Sequence, residues 1–187
     1  MNLYQYLCAI SVILHVSVSY PSPEHPQGYG MAACSGVFIS DNEILTAAHC
    51  VEESRGHQWI QDNEGDSFSV SVKRKDKIKD LAILKVTKKG FKHTFAVLGS
   101  PIKITDTVYT VNNGDDYAKT WNTGIVNNIV FDEGVLSILH NALIMPGASG
   151  SGLFNEKGQL IGVNVATIHY FSEAVDYYEI EAFLNKR

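Results

Sequence analysis

The 187-residue chain lacks the features that mark most specialised classes of protein. It has only three cysteines, Cys8, Cys34 and Cys50, too few for a scaffold built on disulfides. It has no sustained apolar run of about 18 residues, so a conventional membrane-spanning helix is not expected. Charge is sparse: 19% of residues are charged and the net charge is −5. The positive residues gather mainly between Lys73 and Lys92, without the interleaved aromatics of a nucleic-acid platform, so no nucleic-acid partner is expected. No internal repeat or low-complexity tract interrupts the chain. What is present, 45% hydrophobic residues over a length suited to one domain, is the composition of an ordinary globular protein.

The beginning differs from the rest. Leu7 to Val18 is mostly apolar, and Ser17-Val18-Ser19 places small residues before a potential cut ahead of Tyr20. This reads as a signal peptide over residues 1–19, although Met1 to Tyr6 contains no Lys or Arg. An N-terminal strand and a retained anchor are the alternatives. A link rich in proline follows over residues 20–32, and residues 33–187 form the folded domain. After removal of the leader no stable membrane span is expected, and the protein would be secreted or periplasmic. Cys34 and Cys50 remain as an even pair. No metal site is expected, because two cysteines and one nearby histidine leave the zinc shell incomplete.

From residue 33 onward, short apolar runs alternate with turns, the pattern of an all-β protein. Cys34–Ser40 and Glu43–Ala47 read as a hairpin about Asp41-Asn42, and Phe68, Val70 and Val72 share one face of Ser67–Lys73. Leu81–Val86, Thr107–Val111, Gly124–Val130, Val135–Leu139, Gly152–Phe154 and Gln159–Ile168 are further strands. In Tyr177–Lys186, Ile180, Phe183 and Leu184 have helical spacing. Glu179 and Glu181 come early and Lys186 and Arg187 late, a charge order that favours a C-terminal helix.

Three segments carry chemistry: Thr46-Ala47-Ala48-His49-Cys50, Lys79-Asp80-Leu81-Ala82-Ile83-Leu84, and Pro146-Gly147-Ala148-Ser149-Gly150-Ser151-Gly152. A serine hydroxyl is unreactive until a base takes its proton, and the base needs a carboxylate to orient it. Glycines around Ser149 permit a tight turn whose Gly147 and Ser149 N–H groups converge as an oxyanion hole. His49 is then general base and acid, and Asp80 is the orienting carboxylate at the start of a buried strand. Asp76 is the rival carboxylate, but no buried strand follows it directly. The other histidines are His15, His25, His57, His93, His140 and His169. The order His…Asp…Ser disfavours an α/β-hydrolase esterase, which runs Ser…Asp…His.

These segments, in this order, resemble the trypsin/chymotrypsin-fold serine proteases. The spacings, 31 residues from His49 to Asp80 and 69 to Ser149, are most similar to the compact Do/HtrA-like core. Thr123-Gly124-Ile125-Val126 and Gly158-Gln159-Leu160-Ile161-Gly162-Val163-Asn164 also resemble that group. The resemblance covers residues 33 to 184. It implies two β-barrels with a C-terminal helix, serine endopeptidase activity through an acyl-enzyme on Ser149, a polypeptide substrate and no cofactor. It also implies a Cys34–Cys50 disulfide, against the alternative of two buried free thiols; a disulfide would need an oxidising compartment. The family's specificity pocket maps onto Leu143, Ile144, Val163, Asn164 and Val165, with Ser172 and Glu173 near it. No aspartate stands at its floor, so an apolar or small substrate side chain is expected, unless His140 or His169 selects an acidic one. Ala148 stands where trypsin-like zymogens carry the aspartate that pairs with a newly cut N-terminus. The oxyanion loop is therefore either competent as made or organised in another way. The alternatives to a protease acting in trans are a catalytically silent binding module and a self-processing viral or phage protease.

Overall fold

Alternation along the strands builds two barrels that share a buried seam. The computed structural model describes residues 1–19, 29–52, 57–113 and 119–186. The elements run α1 (Leu3–Ile10), β1 (Ser11–Ser19), β2 (Tyr29–Phe38), β3 (Glu43–Ala47), α2 (His49–Glu52), β4 (Gln58–Gln61), β5 (Ser67–Asp76) and β6 (Leu81–Val86). They continue with β7 (Thr107–Asn112), β8 (Thr120–Asp132), β9 (Val135–His140), β10 (Gly152–Phe154), β11 (Leu160–Ile168), β12 (Phe171–Asp176) and α3 (Tyr177–Asn185). One closed barrel has the order β1-β2-β3-β6-β5-β4 and the other β10-β11-β12-β9-β8-β7. Closure leaves neither sheet an open edge around its circumference. This is the two-barrel architecture with a C-terminal helix.

Side-chain period explains three packed clusters. In β1, Val12, Leu14 and Val16 alternate into the N-terminal barrel beside Phe38, Ile44, Ile60 and Leu84. Val108, Val126, Ile138, Leu153 and Ile161 fill the C-terminal barrel. The seam is made by the opposite faces: Val37, Leu45, Leu81 and Ile83 from one barrel, Val111, Phe154 and Val163 from the other, with Leu7, Ile10, Ile180 and Phe183 from the two terminal helices. β6 feeds both the barrel interior and the seam, which is why Leu81–Leu84 reads as a continuous apolar run. In β5 the expected face ends early. Val70 is buried but Val72 is 39% exposed, because the register with β6 shifts between Val72 and Arg74.

The segment expected as a leader, residues 1–19, contains α1 and β1. β1 pairs with β2 from Ser11↔Val37 to Ser19↔Tyr29 and with β4 from Ile13↔Gln61 to Val16↔Gln58, so it closes the N-terminal barrel. Asn2 caps α1 in a reciprocal box with Gln5, and Lys119 Nζ donates to Cys8 O and Ser11 O at the helix C-terminus. Of the expected link, Tyr29 to Ala32 belong to β2, and residues 20–28, His25 included, lie outside the described residues. No helix among the described residues is long and apolar enough to cross a membrane.

Candidate active site

His49 opens α2 directly after β3, and Asp80 closes the turn that enters β6. β3 and β6 pair from Glu43↔Lys85 to Ala47↔Leu81, so the ladder itself brings the two residues together. Asp80 holds His49 twice: Oδ2 lies 2.6 Å from ring Nδ1 and Oδ1 accepts the His49 N–H at 2.8 Å. Its carbonyl accepts the Ala48 N–H at 3.1 Å. Asp80 adopts φ 51°, a left-handed conformation that aspartate tolerates better than most residues. The Asp80 hydrogen bond raises the His49 pKa above its usual value, against the opposing effect of partial burial. Asp76 takes a different part. Its Oδ1 accepts the N–H groups of Ile78 and Lys79, building the turn that presents Asp80.

Ser149 lies on the loop between β9 and β10. Gly147 has φ 89° and Gly150 φ 87°, values that favour glycine. A Cβ at Gly150 would stand 2.2 Å from both Ser35 O and Thr46 Oγ1, so this glycine lets the loop lie against β2 and β3. Ala148 is fully buried, and its N–H bonds Met145 O at 2.9 Å. Among the described residues, neither the Gly147 nor the Ser149 N–H is taken by a protein acceptor. The Ser149 hydroxyl donates to Val165 O at 3.5 Å; a bond to the His49 ring is not made in this conformation.

Cys34 and Cys50 form the disulfide, with Cα atoms 6.2 Å apart. It ties β2 to the turn carrying His49. His49, Cys34 and Cys50 place potential ligand atoms within 4.8 Å of one another. With the sulfurs bonded to each other, however, the cluster has one nitrogen to offer rather than a zinc donor set.

The residues expected to line a substrate pocket separate. Leu143 is 60% exposed and Val165 is half-buried, at a register shift in β11. Ile144 is buried. Val163 and Asn164 are fully buried, and their side chains serve the interior. Val163 packs in the seam. Asn164 Nδ2 donates to Thr110 Oγ1 and Ser151 Oγ at 3.0 and 2.9 Å, while its Oδ1 meets His140 Nε2 at 2.8 Å. His140 is fully buried, and burial lowers its pKa to about 4. It is therefore a neutral member of an interior network, out of reach of a substrate side chain. His169 sits in the exposed turn between β11 and β12. His15 and His57 stack on Trp59, and His93 stacks on Phe38.

Three residues that matter here carry no sequence signature. Ser35 of β2 donates its N–H to Ser149 O and its hydroxyl to Gly147 O. Asn113 meets Ser35, and Glu179 of α3 pairs with Lys79, beside Asp80. Each acts across more than sixty residues, so no local pattern reveals it.

The sequence model of the family described as "Trypsin-like peptidase domain" matches residues 34–163. The chain is 31% identical over 160 residues to "Putative serine protease HhoA" of Synechocystis sp., covering 79% of this chain and 40% of that protein. It is 32% identical over 152 residues to "Probable periplasmic serine endoprotease DegP-like" of Buchnera aphidicola (76% and 32%). It is 27% identical over 172 residues to "Serine protease HTRA3" of Homo sapiens (83% and 38%). The chain thus spans well under half the length of these relatives.

Proposed function

The chain belongs to the trypsin-like peptidase family, and on that premise we propose that it is a serine endopeptidase with His49, Asp80 and Ser149 as its catalytic triad. The observation that carries this reading is the two-point hold of Asp80 on His49. It fixes the ring with Nδ1 committed to the carboxylate, which leaves Nε2 as the basic atom. Once the Ser149 hydroxyl swings from Val165 O to Nε2, His49 takes its proton as the oxygen attacks a substrate carbonyl. The oxyanion forms between the Gly147 and Ser149 N–H groups, each such donor contributing about 3 kcal/mol to the transition state. His49 then returns the proton to the leaving amine, and water attacks the acyl-enzyme by the same route in reverse.

The substrate is a polypeptide, and an apolar or small side chain next to the cut bond fits the apolar Val165, whose carbonyl meets the Ser149 hydroxyl. An oxidising, secreted or periplasmic setting is supported by the Cys34–Cys50 bridge and by the periplasmic DegP-like relative. In this reading Leu3–Ser19 stays in the working protein, because a cut at Ser19 would remove the strand that closes the N-terminal barrel.

The test is labelling with a fluorophosphonate, located by peptide mapping. Label on Ser149, absent in Ser149→Ala together with peptidase activity, is the expected result. Folded wild-type protein that takes no label would turn the assignment to a silent binding module. That second reading rests on the Ser149 hydroxyl being bonded to Val165 O.

A further inference from the structure

We infer that Ser35 is the positioning residue that sets the oxyanion loop, doing the work for which Ala148 leaves no carboxylate. The inference rests on the proposed roles of Gly147 and Ser149 and adds what holds them in place. Ser35 is fully buried, and every polar group it owns is bonded. Its N–H donates to Ser149 O at 2.8 Å and its hydroxyl to Gly147 O at 2.9 Å. The same Oγ accepts the Asn113 N–H at 3.3 Å, and Ser35 O accepts the Thr46 hydroxyl at 2.7 Å.

The consequence is geometric. The 147–148 peptide plane is held at both edges, by Ser35 Oγ on its carbonyl and by Met145 O on its Ala148 N–H. The plane following Ser149 is held by the Ser35 N–H. A glycine at φ 89° has alternative backbone wells open to it. The side-chain bond from Ser35 keeps Gly147 in the well where its N–H and that of Ser149 stay free. Asn113 extends the support. It is fully buried, and its Nδ2 donates to Val12 O at 3.1 Å, so strand β1, the β7 end and the oxyanion loop form one connected unit. The loop is therefore tied to strand β1 through neutral hydrogen bonds, where a zymogen uses a new terminus and a salt bridge.

Ser35→Ala keeps the backbone bond to Ser149 and deletes only the hydroxyl. Losing a buried carbonyl's donor corresponds to about a tenfold to hundredfold effect. In Ser35→Ala, kcat should fall by about that factor while KM changes less than about threefold. Affinity for a peptide aldehyde, whose hemiacetal oxyanion occupies the hole, should fall in parallel with kcat, whereas affinity for the cleaved product peptide should not. Ser35→Thr, which retains a hydroxyl, should recover part of the loss. A Ser35→Ala enzyme with wild-type kcat and aldehyde affinity would overturn the inference. So would equal losses in product and aldehyde binding, the mark of general misfolding. Wild-type protein that neither cleaves peptides nor takes the fluorophosphonate would instead sink the protease reading, and this inference with it.

Discussion

Glu179 of the C-terminal helix reaches both barrels at once: its Oε2 pairs with Lys79, and its Oε1 accepts the Leu136 N–H at 3.2 Å. Lys79 immediately precedes Asp80. The turn that presents Asp80 is thus anchored to helix α3. Arg74 reinforces the same junction. Its guanidinium donates to Phe183 O at 2.5 Å and to Lys186 O, and lies 4.6 Å from the centroid of the Phe183 ring.

Glu179→Gln should therefore weaken two properties together. Lys79 and Glu179 are only 17% and 14% exposed, and breaking a largely buried pair leaves a charge without its partner. A loss of about 1–3 kcal/mol is expected in denaturant unfolding, together with a fall in kcat as the Asp80 turn loosens. Normal kcat in the folded variant would separate the helix from the site.

The pH profile tests the His49–Asp80 bond. Because the bond raises the His49 pKa, more of the imidazole is protonated at a given pH, and the base is lost below that raised value. The acid limb of kcat/KM should lie above the ordinary histidine range near 6.5. Asp80→Asn should lower turnover by about 10⁴-fold, the scale known for the corresponding change in a serine protease. It should also move the remaining limb toward lower pH. A limb that stays in place would assign it to another group.

His140 makes acid stability predictable. Its folded pKa of about 4 lies below the unfolded value near 6.5, so the unfolded chain binds the extra proton first. Stability contributed by the neutral ring is complete above about pH 6.5 and is lost as pH falls toward 4, by about 3 kcal/mol in all. Urea unfolding of wild type and His140→Gln across that range should show a shallower acid slope in the variant. Parallel slopes would place the acid sensitivity elsewhere.

Deletion of residues 1–19 should abolish cooperative folding. It removes the fully buried Leu7, Ile10, Val12, Leu14 and Val16 and opens the barrel between β2 and β4. Intact mass should find these residues retained in active protein. An active, cooperatively unfolding protein that begins at Tyr20 would reverse this reading.

Reduction of the Cys34–Cys50 bridge should cost about 2–4 kcal/mol, with protease susceptibility rising first around His49. Unchanged melting in reductant would show that the bridge is dispensable to the fold.

Most strands were legible because their pattern is local. Leu81–Val86 appears in the structure with the same bounds, since a six-residue apolar run after a turn leaves few alternatives. β1 was harder. Leu7–Val18 reads as a leader from its apolar run alone, and the same run supplies Leu7 and Ile10 to the seam and Val12, Leu14 and Val16 to the barrel. His49, Asp80 and Ser149 stand out by their neighbours, and the structure brings His49 and Asp80 together; the expected pocket residues have no such neighbours. Whether Asn164 faces substrate or the interior depends on a single step of strand register. The structure turns it inward to His140, Thr110 and Ser151.

The sharing of supports between the barrels also sets an order in time. Strand β1 closes the N-terminal barrel, yet it is clamped by Asn113 and Lys119. The turn before Asp80 waits for Glu179. During synthesis, His49 and Asp80 emerge before α3, the helix that braces their turn. Contacts this distant in sequence form slowly, so the turn holding His49 and Asp80 is fully braced only after α3 has joined the fold.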